Sequence, residues 1–245
     1  VLITGPTGSG KTTTLYATLE KINSEQQKII TVEDPVEYQL EGITQIQANA
    51  SIGLNFAEGL RSIVRQDPDI LMVGEIRDHE TAEIAIESAL TGHLVFSTLH
   101  TNDAAGAVTR LQDMGVEGYL ISSSLLAIQA QRLVRRVCTD CIETRHLNDD
   151  EAAALDLKDD RDFEINRGKG CDRCANTGYR GRIGLYELLV MSDTIRHHIA
   201  SGADANVIRA QAVEEGMRTL RQDALEKLRR GLTTPEEVVR VTRAI

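Results

Sequence analysis

The sequence has no tryptophan, and aromatic residues make up only 3% of its 245 residues. Its core must therefore be mostly aliphatic, and a hydrophobic content of 41% is enough to build one. No apolar run approaches the roughly 18 residues of a membrane span, and no signal-peptide pattern is present. An excess of positive charge is also lacking, since the formal net charge is -10. This balance disfavours a nucleic-acid-binding surface over the whole domain, because such a surface needs clustered lysine and arginine.

An initiator methionine is missing too, because the chain begins at Val1 inside an apparent strand. We therefore expect a fragment that lacks the start of its first strand. A whole preceding domain is a further candidate for what is missing.

Cysteine is scarce, and the four that occur form two Cys-x-x-Cys pairs. Disulfides are rare in a reducing cytosol, so paired cysteines in a chain without secretion signals point first to a metal. Four thiolates make a closed tetrahedral site that suits structural Zn²⁺ and leaves no open position for catalysis. Redox chemistry is the alternative, but neither pair opens a helix of a thioredoxin-like unit. The predicted zinc ligands are Cys138, Cys141, Cys171 and Cys174.

Residues 5–12 match the phosphate-binding pattern G-x-x-x-x-G-K-[ST] without a mismatch. The apolar run Val1–Ile3 before them predicts a strand, and the residues after them predict a helix. A glycine-rich loop in this context closes backbone N–H groups around phosphate, and the helix N-terminus adds positive charge. A strand-to-helix turn without a ligand is the alternative, which the lysine and threonine disfavour. We therefore predict ATP and Mg²⁺ as ligands, with the nucleotide bound by Gly5, Pro6, Thr7, Gly8, Ser9, Gly10, Lys11 and Thr12. Thr12 would also ligate Mg²⁺.

Strand-like and helix-like segments alternate along the first half of the chain, which is typical of a parallel α/β sheet. The predicted fold is an α/β, RecA-like core with a mainly parallel sheet, an inserted tetracysteine zinc subdomain and C-terminal helices. Its predicted regions are 1–134, 135–186 and 187–245. Within the first region we predict a helix over 117–134.

Carboxylates follow two of the predicted strands. Glu33 and Asp34 end one of them, and Glu75 ends the apolar run 69–74. Parallel sheets bind ligands at the carboxyl edge, so these acids are expected beside the phosphate loop. Their residue types do not decide which one orients Mg²⁺ and which one polarises water. Solvation of a strand end is the alternative for each.

Two histidines, His93 and His100, flank a third predicted strand, and we expect them at the same edge. A neutral histidine there could donate to the terminal phosphate and sense its loss. The alternative is a structural histidine. Arg61 and Arg65, four residues apart on a predicted helix, could stabilise transition-state charge or contact another subunit, or could simply form a solvated face. A second arginine cluster at 132, 135 and 136 has the same two interpretations.

Several further stretches make the chain resemble the C-terminal ATPase domain of a type II secretion system assembly ATPase, within the secretion and type IV pilus ATPase superfamily. They are Thr31–Glu37 (the family's aspartate box), Arg65–Asp69, Val73–Asp78 (its Walker B), Thr91–His93 through Ser97–Asn102 (its histidine box), Leu120–Leu126 and Gly178–Arg182. The resemblance covers nearly the whole chain, and the glutamate at the end of the Walker B stretch is normal for this family.

The resemblance implies a RecA-like fold and a homo-hexameric ring that hydrolyses ATP at the cytoplasmic face of the inner membrane. Its partners would be inner-membrane secretion platform proteins and a preceding domain, absent from this chain, that supplies arginines. If the matching positions keep the roles they have in this family, Glu33 would activate the attacking water and Glu75 would support Mg²⁺. His93 and His100 would sense the nucleotide. The family also carries a tetracysteine zinc element.

Three functions compete. The first is a motor that assembles a pseudopilus for protein export, with type IV pilus extension as its close alternative. The second is a RecA-like nucleic-acid translocase, which the charge and the few aromatics disfavour. The third is a scaffold that binds ATP without turnover, which the acids and histidines at 33, 75, 93 and 100 argue against.

Overall fold

The computed structural model describes residues 1–157 and 163–242. Residues 158–162, inside the predicted zinc region, and 243–245, at the end of the predicted C-terminal helical region, lie outside the described residues. The strands are β1 Leu2–Thr4, β2 Ile29–Glu33, β3 Thr44–Gln47, β4 Ile70–Val73, β5 Leu94–Leu99, β6 Ala127–Val137, β7 Ile142–His146, β8 Glu164–Gly168 and β9 Tyr179–Val190.

Helices alternate with the strands in the first half of the chain and dominate its end. They are α1 Lys11–Ile22, α2 Phe56–Val64, α3 His79–Leu90, α4 Ala104–Asp113, α5 Gly118–Ser124, α6 Asp149–Ala154, α7 Asp193–Ala200, α8 Ala205–Glu214, α9 Leu220–Arg229 and α10 Pro235–Thr242. Short 3-10 turns occur at Ala50–Ile52, Thr139–Cys141 and Asp172–Cys174. No helix of the described chain is both long enough and apolar enough to span a membrane.

The main sheet has the strand order β3-β2-β4-β5-β1-β6-β9, and β7 pairs with β8 in a separate antiparallel ribbon. The β1 strand lies parallel to both β5 and β6, with Thr4 opposite Leu99 and Ala130. The β2, β3, β4 and β5 strands also pair in parallel. Every parallel strand in this series therefore ends at one common edge, which confirms the predicted fold class.

The core forms because most residues of the central strands are apolar, with Thr4, Thr31 and Glu33 as the polar exceptions in β1 and β2. All residues of β1, β2 and β4 are buried. Strands buried on both faces are typical of sheets covered by crossover helices on either side. One of these helices, α1, buries Leu15, Tyr16 and Leu19 against Ile29 and Met72 of the sheet. The phosphate loop is therefore anchored to the sheet through both β1 and α1.

The chain divides into two compact units. The first comprises residues 1–130 and 188–217, and the second comprises residues 131–187 and those from 218 onward. This grouping differs from the predicted regions chiefly at the C-terminal helices. Helices α7 and α8 pack on α5 and α4 in the first unit, whereas α9 packs on β8 and α10 in the second. Tertiary packing decides which unit each of these helices joins, and this packing cannot be predicted from the sequence pattern.

Two predicted boundaries are wrong. The predicted helix over 117–134 ends at Ser124, and residues 127–137 form β6 instead. Residues 128–130 pair in parallel with β1, and β9 is the other neighbour of β6, so pairing within the sheet overrides local propensity. The C-terminal helical region does not begin at residue 187, because β9 continues to Val190.

Candidate functional site

The phosphate loop connects β1 to α1, as its sequence pattern predicts. Gly10 caps α1 with a φ of 89°, a left-handed backbone conformation that residues other than glycine rarely adopt. Lys11 is the first residue of the helix, and its Nζ donates to the carbonyl oxygens of Gly5 (2.8 Å) and Pro6 (3.3 Å). The ammonium group therefore lies across the start of the loop, next to the helix N-terminus. This arrangement suits a polyphosphate anion.

Four predicted site residues meet this edge of the sheet. Thr12 lies in the first turn of α1, Glu33 ends β2, Glu75 follows β4 by two residues, and His100 directly follows β5. The strand register brings them together, because Val32 is opposite Val73 and Val73 is opposite Ser97. Hydroxyl and carboxylate oxygens are ligands that Mg²⁺ prefers, so the donor types at this edge fit that ion.

Glu33 is only 3% exposed, and its carboxylate is held by hydrogen bonds from three side chains. Thr31 Oγ1 donates to Oε1 at 2.5 Å, and Gln45 Nε2 donates to the same oxygen at 3.1 Å. The Tyr16 hydroxyl donates to Oε2. These bonds compensate the burial of the charge. Solvation of an exposed strand end therefore does not describe Glu33.

Glu75 forms a contact that links two predicted residues. Its Oε2 lies 3.0 Å from His100 Nε2, and Arg77 donates to Oε1. Burial acts to raise the pKa of Glu75, but the hydrogen bonds from Arg77 and His100 outweigh it and hold that pKa below its usual range. Glu75 is therefore a carboxylate at neutral pH, and it lies in direct contact with the His100 ring.

His93 does not join this group, and the prediction that both histidines share one edge is wrong. The two residues flank the six-residue strand β5 at opposite ends, about 23 Å apart at the usual rise of about 3.3 Å per residue. His93 Nδ1 lies 2.9 Å from the Ser88 carbonyl oxygen and 3.2 Å from Thr91 Oγ1. Within this chain, His93 contacts the end of α3 at the edge opposite the phosphate loop.

The two predicted arginines lie on α2 and at its C-terminal end. Arg61 pairs with Glu58 at 2.8 Å and with Glu80 at 2.5 Å, and all three side chains are about half exposed. Arg65 caps the helix and is exposed. These contacts agree with a solvated helix face for Arg61. A catalytic role for either arginine stays a prediction.

Sequence reasoning missed Tyr16, Gln45 and Arg77. Arg77 lies two residues after Glu75 and so could have been proposed from spacing alone. Tyr16 and Gln45 reach Glu33 from 17 and 12 residues away. The only local signal for Tyr16 is its place one turn beyond Thr12 on the helix that follows the phosphate loop.

The four cysteines come together in the second unit, as predicted. Their sulfur atoms all lie within 4.8 Å of one another. The separations are 3.9 Å for Cys138 to Cys171, 3.9 Å for Cys141 to Cys174 and 3.7 Å for Cys171 to Cys174. A zinc tetrahedron with Zn–S bonds of about 2.3 Å has edges of about 3.8 Å. The sulfur geometry therefore fits a Zn²⁺ ion.

Backbone N–H groups are aimed at these sulfurs. Cys174 Sγ accepts from the N–H groups of Cys171 at 3.2 Å and Gly178 at 3.3 Å. Burial acts to raise the pKa of the Cys174 thiol, but these bonds outweigh it and lower that pKa to about 6. Gly178 is required because its φ is +77° and an added Cβ would lie 2.5 Å from the Gly168 carbonyl oxygen. Cys174 thus has the lowered pKa of a thiolate ligand, and Gly178 provides the turn that places backbone N–H groups around it.

The fold and the first site together define the class: a parallel α/β protein with a phosphate loop and acidic groups at the carboxyl edge of its sheet is a P-loop nucleotide-binding protein. The family described as "Type II/IV secretion system protein" matches residues 1–240, and the chain belongs to it.

Curated relatives are about half identical to this chain over the residues that align with it. The type II secretion system ATPase E of Vibrio cholerae is 52% identical over 247 residues, which are 99% of this chain and 48% of the relative. The type II secretion system protein E of Aeromonas hydrophila is 52% identical over 243 residues, with the same coverage. The chain therefore spans about half the length of the curated relatives it matches.

Solved structures agree with the fold. The pilus retraction motor PilT with bound ADP is 30% identical, with a TM-score of 0.71, over 98% of this chain and 60% of that one. The ATPase DotB of Legionella pneumophila is 26% identical, with a TM-score of 0.71, over all of this chain and 60% of that one.

Proposed function

We propose that this chain is the ATP-hydrolysing part of a ring-shaped motor that powers pseudopilus assembly for type II protein secretion. The observation that carries the proposal is the edge of the sheet where Lys11 at the phosphate loop, the buried Glu33 carboxylate and the Glu75–His100 pair occur together. The relatives named as type II secretion proteins support the choice of process.

Each residue at this edge has a proposed role. Lys11 and the loop N–H groups bind the phosphates, and the Thr12 hydroxyl ligates Mg²⁺. When bound, Mg²⁺ neutralises charge on the phosphate oxygens. Glu33 accepts a proton from the attacking water, as general bases do. Glu75 supports the metal ion, and its contact with His100 makes that histidine the nucleotide sensor. His93, Arg61 and Arg65 would act toward another subunit or another domain.

The proposed assembly is a homo-hexamer at the cytoplasmic face of the inner membrane, bound to secretion platform proteins. A preceding domain would complete the site with further cations. Zn²⁺ held by the four cysteines would stabilise the second unit and take no part in hydrolysis. Extension of a type IV pilus would use the same site and is the second candidate. The likeness to the pilus retraction motor PilT supports a pilus motor in general and does not favour extension.

The test is Glu75→Ala in the full-length protein. Turnover of ATP should be lost while ATP binding is retained, because the change removes a carboxylate and leaves the phosphate loop intact. Glu83→Ala is the matched control, since Glu83 is an exposed residue of α3 whose nearest ionic partner, His79, is 4.0 Å away. Unchanged turnover in the Glu75→Ala hexamer would contradict the assigned role.

A further inference from the structure

The Glu33 carboxylate has an uneven set of hydrogen bonds. Oε1 accepts from both Thr31 and Gln45, whereas Oε2 accepts from Tyr16. A carboxylate oxygen has two lone pairs in its plane, so Oε1 is saturated. Among the contacts of the described residues, one acceptor site therefore remains on Oε2. The oxygen that can take a proton from water is thus the oxygen that Tyr16 contacts.

The Tyr16 hydroxyl group has only one hydrogen-bond acceptor among the contacts of the described residues. The hydroxyl oxygen accepts from the Glu37 N–H at 3.2 Å and from Gln45 Nε2 at 3.3 Å. Gln45 Nε2 shares its two protons among three acceptors, because it also lies 3.1 Å from Glu33 Oε1 and 3.2 Å from the Tyr38 carbonyl oxygen. The Glu37 N–H and Gln45 are nevertheless both donors, so Glu33 is the only acceptor for the phenol proton among the described contacts of Tyr16. The O–H group then points to Glu33. Its direction is fixed by the surrounding backbone and amide groups.

The ring of Tyr16 is also held in place. The residue is fully buried, and its ring packs edge to face against Tyr38 with centroids 4.7 Å apart. It projects from α1, the helix that begins at the phosphate loop, whereas Glu33 belongs to β2. Tyr16 therefore connects two parts of the site: α1, which begins at the phosphate loop, and the Glu33 carboxylate, which would activate water.

We propose that Tyr16 is a positioning residue that fixes the Glu33 carboxylate relative to the phosphate loop and leaves one acceptor site of Oε2 for the attacking water. The inference rests on the proposed function, because it takes Glu33 as the base. A base that can rotate loses its alignment with the reacting atoms, and misplacement of about 1 Å is enough to slow a reaction severely. Tyr16 would thus act on turnover and not on the affinity for ATP.

The experiment compares Tyr16→Phe with the wild type in the full-length protein. The variant keeps the buried ring and removes the hydroxyl, so we expect kcat to fall on the order of tenfold while KM for ATP and the oligomeric state stay close to the wild type. Tm should fall as well, because the Glu37 N–H and the Glu33 carboxylate each lose a buried partner. Tyr38→Phe is the matched control and should keep wild-type kcat, because the Tyr38 ring is retained and its side chain is half exposed. Wild-type kcat in Tyr16→Phe would overturn the inference, as would a rise in KM without a change in kcat.

A double variant separates this inference from the proposed function. If Tyr16 acts through Glu33, Tyr16→Phe should lower kcat no further once Glu33 has been changed to Gln. An equal loss in both backgrounds would overturn the positioning role while leaving Glu33 as the base. Wild-type turnover in Glu33→Gln alone would instead overturn the assigned base, and the inference with it.

Should Tyr16→Phe fail to fold, tyrosine Raman spectroscopy gives an answer without it. The wild type should show a tyrosine that donates strongly to a carboxylate, and this signature should weaken in Glu33→Gln. An identical tyrosine spectrum in the two proteins would overturn the inference.

Discussion

Removal of zinc should unfold the second unit's cysteine region and leave the phosphate loop intact. Between the two cysteine pairs, the large apolar side chains that the structure describes as buried are Leu155, Leu157 and Ile165. Full burial of such a side chain contributes about 1.5–3 kcal/mol, so the three together contribute about 5–9 kcal/mol. A structural Zn²⁺ contributes on the order of 10 kcal/mol. The metal is therefore the largest single source of stability expected here.

The assay is hydrogen exchange on the full-length protein, before and after treatment with a chelator. Amides between the two cysteine pairs should lose protection, whereas those of β1, β2 and β4 should keep it. Zinc added back in excess should restore protection, which controls for damage by the chelator. Metal content is measured on the freshly purified protein, with at least one zinc per chain expected. Less zinc than that, or exchange that does not change on its removal, would refute the reasoning.

Three further predictions concern single side chains. Burial acts to raise the pKa of Glu237, but Arg240 and Arg135 outweigh it and lower that pKa to about 2. A carboxyl group whose pKa is lowered on folding stabilises the fold at pH values above its ordinary pKa near 4.5. This stabilisation is lost as the pH falls toward 2. Glu237→Gln should therefore lower the free energy of unfolding by about 2–3 kcal/mol at pH 7 and by much less near pH 2. Denaturant unfolding measures this, with the exposed Glu236→Gln as the control. An equal loss at both pH values would contradict the prediction. Gly178→Ala should lower zinc occupancy and destabilise the second unit by at least about 1–2 kcal/mol; full occupancy with unchanged Tm would contradict it. His100→Ala should slow turnover more than His93→Ala in single-turnover assays, and the reverse order would count against His100 as the sensor.

Patterns confined to a few residues could be predicted well from the sequence. The phosphate loop at residues 5–12 can be recognised from the spacing of its own residues, and the same holds for the two cysteine pairs. The edge positions of Glu33 and Glu75 followed from one rule, that parallel strands end together. All these features are where predicted because each depends on local sequence or on the general geometry of a parallel sheet.

Features that depend on distant partners could not be predicted. Residues 127–137 form a strand that pairs with β1 through residues 128–130 and lies beside β9, and the segment's own sequence does not predict these partners. The misplaced His93 is a different and avoidable error, since two residues that flank one strand must lie at opposite edges of the sheet. The hydrogen bonds on Glu33 come from residues on α1 and β3 as well as β2, and only the assembled sheet brings them together.

The central claim is that the edge beside the phosphate loop binds and hydrolyses ATP. Its most direct test is single-turnover phosphate release by the full-length protein with Mg²⁺ and ATP, for the wild type and Lys11→Ala. Lys21→Ala is the control, because Lys21 is an exposed lysine at the other end of the same helix. The account predicts phosphate release by the wild type and the control, and none by Lys11→Ala. ATP binding without phosphate release in the wild type would mean a nucleotide-binding scaffold, and equal release by all three proteins would place hydrolysis elsewhere; either result would contradict the claim.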